Sequence, residues 1–162
     1  MNTKQLYSAL MCNKFTNPFF NGIYSLDTLS EIKYKPKLII CNTDPSHKPG
    51  KHWVLFFFEG NTVEFFDSLG KNIEYYGIEF VKFVKSFAKY IHQSKIRVQP
   101  PNTSLCGHYC LLYAFLRCKG RKMSYILTKL QKVKHLKYLI NKIFVICNNS
   151  KCSMLQICNK LK

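Results

Sequence analysis

The stretch that decides the fold is Gln99-Pro100-Pro101-Asn102-Thr103-Ser104-Leu105-Cys106-Gly107-His108-Tyr109-Cys110, which continues into an apolar run ending near Leu116. Two prolines and a polar Asn-Thr-Ser cluster interrupt regular structure, and the chain contains no Gly or Pro between His108 and Lys119, so a helix is predicted to begin at or just after Cys106. A helix N-terminus favours an anion, and therefore a thiolate, and Gly107 lets another chain approach closely. Taken alone, a cysteine is more often a small buried apolar side chain, so the rest of the sequence must show whether Cys106 is a nucleophile.

A cysteine nucleophile needs a base, and the chain has five histidines. His108 lies two residues after Cys106 on the same predicted helix, where side chains do not face each other, so it is a poor base. The patterns around His47, His92 and His135 are typical of surface residues. His52 differs because it begins a β-rich run and precedes the only tryptophan, Trp53.

The register of a predicted hairpin determines whether His52 has a carboxylate partner. The runs His52 to Phe58 and Thr62 to Phe66 are separated by Glu59-Gly60-Asn61. A Glu59-Gly60 loop places Asp67 directly opposite His52, and a Gly60-Asn61 loop makes it the diagonal neighbour on the same face. A three-residue loop would put them on opposite faces. Local sequence alone is also compatible with Asp67 simply opening a turn.

Acyl transfer also requires hydrogen-bond donors aimed at the developing oxyanion. The backbone N–H of Cys106 is one candidate. The side chain of Gln99, seven residues upstream across the Pro-Pro bend, is the other, although most glutamines are simply solvated.

Length and composition predict one domain over residues 1–162, with a core that needs neither metal nor disulfides. No apolar run reaches the length of a membrane span, and the N-terminal segment does not fit a signal peptide. We therefore expect a reducing compartment, in which the eight cysteines are thiols. Cys147, Cys152 and Cys158 lack paired C-x-x-C spacing, so no metal site is predicted.

The net charge of +17 is concentrated in the second half of the chain. Residues 1–79 contain eight lysines and all eight acidic residues, whereas residues 80–162 contain 17 basic residues and no acid. Such a field favours a polyanion, with nucleic acid first and an acidic membrane surface second, although an ordinary lysine-rich solvated face has the same pattern. The candidate nucleic-acid-binding residues are Lys82, Lys85, Lys89, Lys129, Lys132, Lys134 and Lys137.

Hydrophobic periodicity predicts the remaining elements. Helices are expected over residues 3–12, with Thr3 as N-cap, within 73–93 after Gly77, and from Ser124 to about Val145. Short strands are expected over Lys37 to Cys41 and Lys95 to Val98. The aromatic segment from Phe15 to Tyr24 is predicted to be irregular, Leu26 to Ile32 a turn or short helix, and the polar loop 42–51 exposed.

These residues together resemble the adenain family, the adenovirus-type maturation proteases, and more distantly the SUMO-deconjugating proteases of the same clan. The order is His52-Trp53, Asp67, Gln99 and Cys106-Gly107. Further similar segments are Asn17-Pro18-Phe19-Phe20-Asn21-Gly22-Ile23-Tyr24, Ile40-Cys41-Asn42-Thr43 and Phe66-Asp67-Ser68-Leu69-Gly70. The seven-residue spacing from Gln to Cys fits adenain better than the deconjugating enzymes.

The resemblance implies an α+β papain-like fold, with a small, mostly antiparallel sheet flanked by helices and the nucleophile at the N-terminus of a buried helix. It implies that His52 is the base, Asp67 its orienter, Cys106 the nucleophile and Gln99 an oxyanion donor, with Trp53 and Gly107 in a narrow substrate cleft. It also implies cleavage of viral structural precursors after Gly-containing sites in the host nucleus and virion, without a required cofactor.

Adenain is stimulated by DNA and by a short peptide that it binds through a cysteine upstream of the Gln. Residues 86–98 contain no cysteine, so we expect such a peptide to bind by strand addition if at all. We expect a monomer that does not associate with membranes. Two alternatives stay open, namely a ubiquitin-like or SUMO-type deconjugating protease, and a basic nucleic-acid-binding protein without catalysis.

Overall fold

Five strands form the central sheet of residues 1–144, the part of the chain that the computed structural model describes. The neighbours β2 and β3, and β3 and β4, are antiparallel, whereas β1 runs parallel to β2 and β5 parallel to β4. The spatial order follows the chain order. The strands are β1 (Phe20–Ser25), β2 (Leu38–Asn42), β3 (Trp53–Glu59), β4 (Thr62–Phe66) and β5 (Tyr90–Gln93).

Among the described residues, five α-helices cover the two faces of this sheet. They are α1 (Thr3–Cys12), α2 (Ile78–Phe87), α3 (Cys106–Cys118), α4 (Met123–Gln131) and α5 (Leu136–Ile143). Short 3₁₀ helices occur at Asn17–Phe19, Leu26–Glu31 and Ile73–Tyr76. Within residues 1–144, no helix is long and apolar enough to cross a membrane.

Alternating side chains of β3 serve two separate cores. Leu55 and Phe57 point toward α1, α3, α4 and α5, whereas Val54, Phe56 and Phe58 point toward α2. Because both faces are covered, the strand is apolar at every position from Val54 to Phe58. The sheet therefore lies between two helical layers, and α3 is buried in the larger core.

The hairpin of β3 and β4 adopts the second of the two predicted registers. Glu59 pairs with Thr62, which leaves Gly60-Asn61 as the loop, and Gly60 has a positive φ of 54°. Asp67 is therefore the diagonal neighbour of His52. Both residues lie just beyond the strand ends, at the edge where α3 begins.

The predicted α+β class is confirmed, but several element predictions are wrong. The sheet is mixed rather than mostly antiparallel, since two of its four pairings are parallel. Half of the segment expected to be irregular is β1, whose neighbour β2 supplies its hydrogen bonds. The N-cap of α1 is Asn2, which accepts from the Gln5 N–H, instead of Thr3.

Two predicted helices end sooner than their apolar patterns suggested. The helix expected up to Gln93 stops at Phe87. The strand predicted over Lys95 to Val98 lies earlier in the chain, as β5 at Tyr90–Gln93. The helix expected from Ser124 to about Val145 is two helices, interrupted at residues 132–135. The interruption lets Ile126, Leu130, Leu136 and Ile140 all reach the larger core. The predicted end of this helix at Val145, like Cys147, Cys152 and Cys158, lies outside the described residues.

Candidate active site

His52 and Asp67 form a buried pair at the edge of the sheet. The distance from His52 Nε2 to Asp67 Oδ1 is 2.6 Å, and the side chains are 8% and 0% exposed. Burial lowers the pKa of His52, but its hydrogen bonds to Asp67 and Cys106 outweigh burial and raise that pKa to about 9. His52 is therefore held as an imidazolium by the two groups beside it.

The Asp67 carboxylate accepts four hydrogen bonds. Oδ1 accepts from His52 and from the Leu69 N–H at 2.9 Å, and Oδ2 accepts from the Lys71 N–H at 2.8 Å and the Tyr76 hydroxyl at 2.9 Å. Burial alone would raise the pKa of Asp67, but the hydrogen bonds from His52, Leu69 and Lys71 lower that pKa below its ordinary value. The acid is thus ionised and fixed in one orientation.

Tyr76 contacts both members of this pair. Its ring stacks on the His52 imidazole, with centroids 5.9 Å apart and planes at 18°, while its hydroxyl binds Asp67. Burial, followed by the charge of Asp67, raises the pKa of the hydroxyl, so it acts as a donor. The ring face favours the imidazolium form of His52.

Cys106 is the first residue of α3, as its sequence context predicted. Burial alone would raise the pKa of its thiol. A hydrogen bond with the His52 side chain and hydrogen bonds with the backbone of Trp53 and Gly107 outweigh burial and lower that pKa. His52 is therefore hydrogen-bonded to the Asp67 carboxylate and interacts with the thiol of Cys106, and this pairing suits proton transfer from a thiol.

Gln99 is 5% exposed, and its side-chain amide is held at both ends. Ser68 Oγ donates to Gln99 Oε1 at 2.8 Å, and Gln99 Nε2 donates to the Thr103 carbonyl at 2.5 Å. Gln99, His52 and Cys106 all line one open cleft of about 540 Å³. Gln99 therefore lies in the wall of the cavity that Cys106 also lines.

Trp53 and Gly107 lie against each other beside Cys106. A Cβ placed on Gly107 would lie 3.3 Å from both Trp53 Cδ1 and Met1 Cβ, and the Trp53 indole N–H donates to the Met1 carbonyl at 3.2 Å. Neither residue is among those that line the 540 Å³ cleft. Gly107 is needed for this close packing.

The loop before His52 is tied to the protein at several points. Asn42 Oδ1 accepts from the Asp44 and Lys51 N–H groups, and Asp27 accepts from the N–H and hydroxyl of Ser46. The prediction that the loop 42–51 is exposed holds from Ser46 to Lys51, but it is wrong at Asn42 and Thr43, which are buried. These anchors fix the path of the chain into His52.

The remaining candidates lie away from the cleft. His47, His92 and His135 are exposed, and His108 is not in the cleft lining; burial, together with the N-terminal amine and Lys137, lowers the His108 pKa to about 4. Among residues 1–144, no cluster of His, Cys, Asp and Glu suits a metal ion. All seven candidate lysines are exposed, in or beside α2, α4 and α5.

A protein-family comparison matches residues 20–156 to the model of the adenovirus endoprotease family. The chain belongs to this family. The match spans every residue of the His52, Asp67, Gln99 and Cys106 constellation, and so confirms the family to which the sequence motifs pointed. Membership of the adenovirus endoprotease family supports a cysteine protease function. No curated protein matches the chain.

A solved structure with the same fold is described as the ASFV pS273R protease. The two chains are 19% identical with a TM-score of 0.50, and the match covers 82% of this chain and 62% of the other. The chain thus spans about three fifths of the length of that structure. At this identity the likeness concerns the fold alone.

The sequence reasoning missed Tyr76 and Ser68. Tyr76 fits the apolar helical spacing of residues 73–93, and Ser68 follows Asp67 in a segment that favours a turn, so neither side chain stands out as a polar contact. A tyrosine interrupting a phenylalanine-rich pattern, just before Gly77, was the available signal for a buried hydroxyl. Nothing in the local sequence around Ser68 indicated a contact with Gln99, which is 31 residues away.

Proposed function

We propose that this chain is a cysteine endopeptidase that cleaves viral structural precursor proteins during particle maturation. The observation that carries the proposal is the position of His52 between a fixed carboxylate and a thiol of lowered pKa at a helix start. Membership of the adenovirus endoprotease family supports the same function.

In the proposed reaction, the Cys106 thiolate attacks the carbonyl carbon of the cut bond. The Cys106 backbone N–H and a Gln99 side-chain N–H donate to the resulting oxyanion. The His52 imidazolium then gives its proton to the leaving amine, which produces a thioester. His52 next removes a proton from water, which hydrolyses the thioester and restores the thiolate. Asp67 stays ionised and keeps the imidazole oriented.

The substrate preference that we propose is for glycine before the cut bond. The test compares three peptides of otherwise matched sequence, with Gly-Gly, Val-Gly or Gly-Val before the cut. The kcat/KM of the Gly-Gly peptide should be at least about tenfold higher than that of either other peptide. Equal cleavage of all three peptides would contradict the glycine preference but not the proposed catalytic mechanism. Labelling by ubiquitin-like vinyl sulfone probes, combined with poor peptide cleavage, would favour the alternative of a deconjugating protease.

DNA is proposed as a stimulating partner, and the exposed cations support it. Arg121, just before α4, and Lys129, on α4, lie within 5.5 Å of the Tyr125 ring centroid. On α5, Lys142 lies 4.7 Å from the ring centroid of Tyr138. A basic surface carrying exposed aromatic rings suits phosphates and stacked bases. A basic DNA-binding protein without catalysis would share this surface but would not need the His52 pair.

DNA affinity should fall steeply with salt, by at least about tenfold between 50 and 200 mM. The reason is that protein binding releases counterions from the DNA, and added salt opposes this release. Fluorescence anisotropy with a short duplex would measure it. Replacing Lys132, Lys134 and Lys137 with Gln should flatten the slope. The charge-matched change of Lys4, Lys14 and Lys33 should not, and a flat response in the unmodified protein would refute the DNA proposal.

Family membership supports the partners and the location that complete the proposal. The enzyme would act as a monomer in the host nucleus and the virion. A short activating peptide would add as a strand to β5, which is an edge strand of the described sheet.

A further inference from the structure

Ser68 joins the two halves of the site. It follows Asp67 directly after β4 and is completely buried. Its hydroxyl donates to Gln99 Oε1 at 2.8 Å, and its carbonyl accepts from the N–H groups of both Val98 and Gln99 at 2.9 Å. The segment that carries the acid is thus bonded directly to the residue that carries the amide.

These contacts define which way the Gln99 amide points. A glutamine amide has nearly the same shape in two orientations, but only its nitrogen donates. The Thr103 carbonyl can only accept, and it holds Nε2 at 2.5 Å, while the Ser68 hydroxyl donates to Oε1 at the other end. One N–H of Nε2 is used by Thr103, so the second remains for the cleft that Gln99 lines together with Cys106.

We propose that Ser68 is a positioning residue that aims the Gln99 amide nitrogen at the oxyanion. This inference rests on the proposed function. In Ser68→Ala, Oε1 would lose its donor in a buried place, and the amide would rotate to recover one. The oxyanion contact would then be lost in a fraction of molecules, or be displaced by a distance that matters for catalysis.

A merely structural serine would behave differently from a positioning one. Loss of packing would affect substrate binding, thiol reactivity and catalysis together. Loss of the aimed amide should affect only the acyl transfer step, because the oxyanion exists only there. Alkylation of Cys106 by iodoacetamide forms no oxyanion, so it reports the thiolate independently of Gln99.

The test uses the full chain with Ser68→Ala, Gln99→Ala and the double variant. Ser68→Ala should lower kcat about 10- to 100-fold with KM changed less than about twofold, and should leave the alkylation rate of Cys106 within about twofold. The double variant should be no slower than Gln99→Ala alone, since Ser68 acts only through Gln99. Ser68→Thr, which keeps a hydroxyl, should recover most of the rate.

Ser94→Ala is the matched control, because Ser94 is also buried, at 1% exposure, and its hydroxyl contacts the Ile96 carbonyl instead. It should leave kcat within about twofold. If Ser68→Ala fails to fold, Ser68→Cys, a weaker donor of similar size, should show the same kcat loss and the same non-additivity with Gln99→Ala.

The proposal is overturned if the Ser68 variant keeps its kcat, if its effect multiplies with that of Gln99→Ala, or if alkylation falls in parallel. An unchanged kcat in Gln99→Ala would overturn the proposal too, while leaving the assignment of Cys106 as nucleophile intact. Failure of the proposed function itself would look different, since the unmodified protein would then cleave no peptide, or Cys106→Ala would retain the cleavage.

Discussion

Cys106→Ala should reduce peptide cleavage by about 10⁴-fold or more while the protein stays folded. The reason is that no other thiol among the described residues combines a lowered pKa with access to the cleft. Burial raises the pKa of Cys41, Cys110 and Cys118 above the ordinary range, and none of the three lines the cleft. The measurement is kcat/KM on a Gly-Gly peptide, with circular dichroism to verify the fold.

Cys118→Ala provides the matched control for this experiment. Cys118 is the last residue of the same helix, and it is half-buried like Cys106. The control should keep its activity within about twofold, because the substitution lies at the opposite end of α3. If Cys106→Ala cleaved at the rate of the unmodified protein, Cys106 would not be the nucleophile.

The positions of the candidate site residues could largely be predicted because they are fixed by local rules. A two-residue hairpin loop brings His52 and Asp67 to one face in either register, and the structure adopts the Gly60-Asn61 loop. The Pro-Pro bend and the helix start place Gln99 and Cys106 near each other by chain length alone. Short-range geometry therefore determined most of the site.

The parts that could not be predicted depend on contacts distant in sequence. β1 and β5 exist because β2 and β4 offer parallel hydrogen-bonding partners, and a four-residue strand such as Tyr90–Gln93 has little preference of its own. The stacking of Tyr76 on His52 joins residues 24 apart in the chain. The break between α4 and α5 is set by the shape of the core, not by a Gly or Pro.

His52→Ala should have the second largest effect, because it removes the base and the counter-ion of the thiolate together. Cleavage should fall roughly 10³-fold or more, as expected for loss of a member of a catalytic unit. The pKa of Cys106 should rise, since burial then acts against the thiolate without the hydrogen bond and charge that offset it. His92→Ala is the control, because His92 is exposed on β5.

The sign of the pH dependence follows from these pKa directions. A lowered Cys106 pKa means that the thiolate forms at a lower pH than in an ordinary thiol. The His52 pKa of about 9 means that the imidazolium persists up to about pH 9. The ion pair should therefore exist between the lowered pKa of Cys106 and about pH 9, and its contribution should be lost as the pH rises through about 9.

The alkylation rate of Cys106 as a function of pH, measured by mass spectrometry on the unmodified protein and on His52→Ala, tests the central claim most directly. We predict that at pH 6 iodoacetamide modifies Cys106 before any other described cysteine, at least about tenfold faster than in His52→Ala, whose rate should rise only near or above an ordinary thiol pKa of about 8.5. Identical pH profiles in the two proteins would contradict the claim that His52 holds Cys106 as a reactive thiolate.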